Sequence, residues 1–96
     1  MEERILTKHP VGKHGVNIYK KTYDLIRNAI IHSLRTKGEL TFTDLTKRVE
    51  KNLQERFDGS IPWYVESVKL DLEARKIIKR IPKTKPQLYR LSKNKS

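Results

Sequence analysis

A small α+β domain, running helix, short strand, helix, helix, strand, strand, is the fold class that the sequence predicts. Three observations predict it. Apolar residues recur at three- and four-residue steps in three separate stretches, the period of an amphipathic helix. After Lys76 the period shortens to that of a strand, through Ile77-Ile78-Lys79-Arg80-Ile81 and again through Gln87-Leu88-Tyr89-Arg90-Leu91, with Lys83-Thr84-Lys85-Pro86 as the turn between them. The chain has 96 residues, 35% of them hydrophobic, which is enough for one core and too few for two.

Residues 1–19 come first. His9-Pro10-Val11-Gly12-Lys13-His14-Gly15 is a loop by composition, and Val16 and Ile18 alternate in a way that suits an extended segment laid against the body of the domain. The segment 1–19 is therefore expected as an extended arm or loop, ahead of a domain spanning 20–92 and a frayed basic tail at 93–96. The first helix is expected from Lys20 to Lys37, with Tyr23, Ile26, Ile30 and Leu34 as its inner stripe and Leu25, Ala29 and Ile31 widening it. Gly38 ends it, since glycine takes a left-handed conformation at little cost.

Glu39-Leu40-Thr41-Phe42 is short and β-leaning. Thr41 or Thr43 then caps a second helix, with Asp44 favourable at its positive end and Leu45, Val49 and Leu53 as its inner face. Phe57 is expected to close the core, and Asp58-Gly59 to turn the chain. Ser60 caps the third helix, Pro62 fits its first turn, and Ile61, Val65, Val68 and Leu72 form one buried stripe beside Tyr64. A helix that feeds a basic two-stranded hairpin is the layout of a winged helix-turn-helix, mainly α with a small antiparallel sheet, in the order α-β-α-α-β-β.

Charge says more about partners than about fold. The chain carries +11 at neutral pH, and residues 76–96 hold eight cations and no carboxylate. Positive charge so concentrated points to a polyanion, and double-stranded DNA is the partner expected of this layout. Lys76, Lys79, Arg80, Lys83, Lys85 and Arg90 are the candidate contacts on the hairpin, or wing, where they could follow a phosphate backbone. Lys8, Lys13, Lys20 and Lys21 could add to them. Ile77, Ile81, Leu88 and Leu91 would hold the ribbon to the body.

The outer side of the third helix is unlike a base-reading surface. It presents Trp63, Leu70 and Ala74, flanked by Glu66, Ser67 and Glu73, with Lys69 and Arg75 towards the sides. Ser60, Trp63, Ser67, Lys69 and Leu70 are the candidate base or partner contacts there. The apolar stripe has three readings: a face covered by the N-terminal segment through Val11, Val16 or Ile18, an interface with a second copy or another protein, or a stacking contact of Trp63 with nucleic acid. The alternative to DNA binding is accordingly a protein-interaction or dimerisation module.

Other chemistries find little purchase. The chain has no cysteine, which removes disulfides and thiolate metal sites. His9, His14 and His32 lack metal-ligand spacing, Gly12-Lys13 lacks the phosphate-loop pattern, and no nucleophile motif is present. No enzyme activity, metal, cofactor, small-molecule ligand or membrane is implied. No apolar run approaches the roughly 20 residues of a membrane span, and the start lacks the apolar block of a signal peptide, so the expected location is the cytosol.

Three runs carry a family resemblance: His9-Pro10-x-Gly12-Lys13-x-Gly15-Val16-Asn17-Ile18, then Gly38-Glu39-Leu40-Thr41-Phe42-Thr43-Asp44-Leu45, then Gly59-Ser60-Ile61-x-Trp63-Tyr64-Val65 with Val68-Lys69-Leu70-Asp71-Leu72-Glu73-Ala74-Arg75. Together they resemble a group of short bacterial proteins of unknown function, described as winged-helix, transcription-regulator-like domains. The resemblance implies that fold, a place in the bacterial cytosol or nucleoid, and a role in transcription regulation. It implies no ligand-contacting residue.

Overall fold

The computed structural model describes residues 3–53 and 59–92. Among them run β1 (Arg4–Leu6), β2 (Asn17–Tyr19), α1 (Lys20–Lys37), β3 (Leu40–Thr41), α2 (Phe42–Leu53), α3 (Ile61–Ala74), β4 (Ile78–Ile81) and β5 (Leu88–Leu91). The result is an α+β fold of three helices and two small antiparallel sheets, β1-β2 and β3-β5-β4.

The segment ahead of α1, expected as an arm or loop, carries the two-stranded sheet. Ile18 on β2 is 3% exposed and belongs to the core, which explains why the Val16/Ile18 alternation is there. The sheet also caps α1. Tyr19 supplies no side-chain cap, and the Lys20 N–H instead donates to the Glu3 carbonyl at 2.8 Å. At the other end Gly38 has φ 87° and its N–H donates to the Leu34 carbonyl at 2.7 Å. Tyr23, Ile26, Ala29, Ile30 and Leu34 are buried as their spacing requires, whereas Leu25 is 36% exposed and does not widen the stripe. Ser33, wholly buried, returns its hydroxyl to the Ala29 carbonyl at 2.8 Å.

Thr41 caps α2, its Oγ1 accepting from the Asp44 N–H at 3.1 Å. Phe42 consequently opens the helix rather than extending the strand. Leu45, Val49 and Leu53 face the core at 2% exposure or less. Phe57 and Asp58, expected to close the core and turn the chain, lie outside the described residues, as does the tail 93–96.

In α3 the Ser60 Oγ accepts from the Trp63 N–H at 3.4 Å with Pro62 in the first turn. Its far end is more specific. The Ile77 N–H donates to the Leu72 carbonyl and the Lys76 N–H to the Glu73 carbonyl, the paired bonds of a Schellman closure, with Lys76 at φ 67°. Ile77, just after it, and Leu91 pack against the core as expected. Ile78 at 1% and Tyr89 at 5% are the most buried residues of the ribbon, and Ile81 and Leu88, expected inward, stand opposite each other on the outer face.

Candidate functional site

Three features converge around α3: the wing behind it, ion pairs within it and a loop laid along it. The hairpin expected as a wing, and so named below, is β4, β5 and the loop 82–87. Its loop folds on its own side chains, since the Ile81 carbonyl accepts from Thr84 Oγ1 at 3.1 Å and Gln87 Nε2 at 2.8 Å, while the Leu88 N–H donates to Thr84 Oγ1 at 2.9 Å. Lys83 and Lys85 are left exposed at the tip, Lys83 with φ 64°.

On the strands the cations divide by register. Lys79 stands opposite Arg90 on the outer face, and Arg80 opposite Tyr89 on the inner one. Arg80 is already engaged: its Nε donates to Glu73 Oε1 at 2.7 Å, and its guanidinium lies 5.7 Å from the Tyr89 ring centroid. The bond to Glu73 raises the Arg80 pKa further above its ordinary value. Lys76, Lys79, Lys83, Lys85 and Arg90 enter no ion pair among the described residues. Five of the six wing candidates therefore carry uncompensated charge.

The polar side of α3 differs from the expected arrangement. Lys69, expected at the flank as a contact, is 2% exposed and out of reach of a surface ligand. Its ammonium bonds Glu73 Oε2 at 2.9 Å and lies 4.6 Å from the Tyr89 ring centroid. Asp71 is wholly buried. One of its oxygens accepts from the Lys8 N–H at 2.7 Å; the other accepts from the Tyr23 hydroxyl and from Arg75 Nε at 2.8 Å. Burial, then this hydrogen bond, pushes the Tyr23 phenol up to about 12, and the same carboxylate raises Arg75. The signal for both pairs was in the sequence, as Lys69–Glu73 and Asp71–Arg75 have the i,i+4 spacing of helical ion pairs.

Asp71 also brings the loop 7–16 onto the helix. Ser67 and Leu70, both half-buried, share a narrow groove with Thr7, His9, His14 and Val16, so the N-terminal segment covers part of the apolar stripe. Val16 and Ile18 pack inward and Val11 does not, being 71% exposed. Trp63 stays open at 47%, its ring edge-on to Tyr64 at 5.0 Å. Ser60 is exposed, with its oxygen spent on the cap.

Below Ala74 a larger cleft of about 460 Å³ opens between this loop and the end of α3, with Lys8, His9, Lys13, His14, Glu73 and Lys76 among its lining residues. Sequence reading missed it because its two walls lie far apart in the chain. His32 sits exposed on α1, away from the other histidines. Among the described residues no three His, Cys, Asp or Glu side chains gather to hold a metal ion, and no helix is long and apolar enough to cross a membrane.

Residues 4–89 match a family described as a family of unknown function, DUF6958. The chain belongs to it. The match begins in β1 and ends in β5, so DUF6958 takes in the N-terminal sheet, the loop, all three helices and the wing together. Neither a curated protein nor a solved structure matches the chain.

Proposed function

We propose that this DUF6958 protein is a winged-helix DNA-binding module of bacterial transcription regulation, a binder rather than a catalyst, held to the duplex chiefly by its wing. One observation carries the reading: Lys79 and Arg90 stand directly opposite each other with no carboxylate partner among the described residues, and Lys83 and Lys85 extend the same charge to the tip. Like charges placed opposite one another destabilise a sheet, and neutralisation by phosphate relieves that cost. Lys83 adds a backbone cost of its own, since a left-handed φ suits glycine better than lysine. The element order and the sheet order β3-β5-β4 support the fold assignment.

Titration of fluorescent random duplex across a salt series tests this. Each phosphate contact contributes roughly 0.9 to the slope of log K against log salt, so replacing both Lys83 and Lys85 by alanine should reduce the slope by about 2. Absence of binding at low salt, or a slope that the double substitution leaves unchanged, refutes the proposal. The open Trp63 ring favours a second reading, a docking face for a second copy or another protein. Light scattering should then show a dimer that Trp63→Ala converts to monomer.

A further inference from the structure

The cleft between the loop 7–16 and the end of α3 gathers charge of one sign. Three lysines line it, Lys8, Lys13 and Lys76, and none enters an ion pair among the described residues. Its one acidic lining residue, Glu73, is neutralised twice, by Lys69 on one oxygen and Arg80 on the other. The last carbonyls of α3 oppose an anion with about half a charge, but those of Asp71, Leu72 and Glu73 are already occupied by closing N–H donors. The balance is strongly positive.

The loop is fastened shut. Thr7 and Val16 exchange bonds at 2.9 Å, Lys8 is clamped to Asp71, and the Gly12 N–H donates to the His9 carbonyl at 3.0 Å. Any side chain at Gly15 would place its Cβ 1.8 Å from the Thr7 carbonyl oxygen. The Val11 N–H donates to His9 Nδ1 at 3.2 Å, so in the neutral ring the proton sits on Nε2, which is then a donor. The backbone N–H groups of Lys13, His14 and Gly15 make no hydrogen bond among the described residues. Lys76 keeps its cation at a φ of 67°, where glycine closes a helix more cheaply. Cations, free N–H donors and a fixed concave wall suit a compact, doubly charged group.

We propose that this cleft binds a small molecule through a phosphate monoester, whose charge of about −2 at neutral pH matches the lysines. The volume, about 460 Å³, is that of a small-ligand site. A phosphodiester backbone carries one charge per group along a wide rod, and the concave cleft suits a terminal group better. The cleft shares Lys76 with the six wing candidates, but the proposal does not depend on the wing's ligand.

Amide chemical shifts of the intact protein, followed at constant ionic strength against sodium chloride, test it with inorganic phosphate, adenosine monophosphate and duplex DNA as separate probes. Phosphate and the monophosphate should give saturable shifts confined to residues 7–16 and the end of α3, with a Kd on the order of 1 mM. Lys13→Ala and Lys76→Gly should each weaken binding about tenfold, and Lys76→Gly does so without strain because it relieves a left-handed lysine. Shifts that chloride reproduces, that never saturate, or that survive both substitutions overturn the proposal. So do shifts at these amides with duplex DNA alone, which assign the cleft to the polymer.

Discussion

Asp71→Asn tests the internal architecture most directly, because it changes one atom at a point where three elements meet. The carboxylate accepts from the Lys8 N–H, the Tyr23 hydroxyl and Arg75 Nε, so three donors converge on a wholly buried side chain. Asparagine keeps the shape but offers one oxygen and one NH2 group, so at least one of the three donors, the Lys8 N–H or Arg75 Nε, must face another donor. An unsatisfied buried donor costs about 1–3 kcal/mol. The lost pairing with Arg75, itself 36% exposed, adds only about 0.5–1 kcal/mol because solvent screens it. The expected loss is about 1.5–4 kcal/mol, a large share of the ~5–14 kcal/mol available to a domain of this length.

Urea unfolding followed by far-UV circular dichroism measures the loss, and an unchanged m-value shows that only stability moved. In a double-mutant cycle Tyr23→Phe should cost less in the Asp71→Asn background than alone, by about 1 kcal/mol. Hydrogen exchange at the Lys8 amide should accelerate, since the bond fastening the loop to α3 is weakened. A loss below about 1 kcal/mol for Asp71→Asn, with Lys8 protection unaltered, refutes the claim that this carboxylate holds the arm, α1 and α3 together.

Two further outcomes are expected of the same framework. Lys76→Gly should raise stability by about 0.5–1 kcal/mol, because glycine takes the left-handed position at the end of α3 without a Cβ penalty; a thermal melt should show the midpoint rising by several degrees, and a fall refutes the closure described. Tyr23 sets an alkaline limit: its folded pKa, about 12, lies above its ordinary 10.0, so its contribution is whole below pH 10 and is lost as pH rises to 12. About 2–3 kcal/mol should disappear across that window in urea titrations, and Tyr23→Phe should flatten the profile.

The helices were legible because their signals are local. Lys20–Lys37 could be read from its stripe and from Gly38, and the α3 start from Ser60 and Pro62. The ribbon was legible by half: Ile77 and Leu91 pack on the core as expected, while Ile81 and Leu88 stand on the other face and Ile78 takes the buried place, after a left-handed turn at Lys76 that a lysine does not announce. Helical spacing puts Lys69 at the flank of α3, yet its stem is buried and its ammonium finds Glu73 and the Tyr89 side chain, partners 4 and 20 positions away. The loop onto α3 was illegible for the same reason at greater range, as Lys8 and Asp71 are 63 positions apart.

The burial of these charges bears on which element could carry the proposed binding. Lys69, the one cation of α3, is spent on Glu73, and Arg75 at its C-cap on Asp71, while the exposed start of the helix offers Trp63 and Glu66 rather than Arg, Lys, Asn or Gln. A helix so composed supplies neither phosphate attraction nor bidentate base contacts. On the proposed reading attraction falls to the wing, whose cations Lys79, Lys83, Lys85 and Arg90 have no internal partner among the described residues. On the proposed reading, affinity is set by charge and salt, and discrimination between sequences is slight, because contacts to phosphate carry no base code. A strong preference for one duplex sequence at fixed salt would require base contacts from α3 that its surface does not offer.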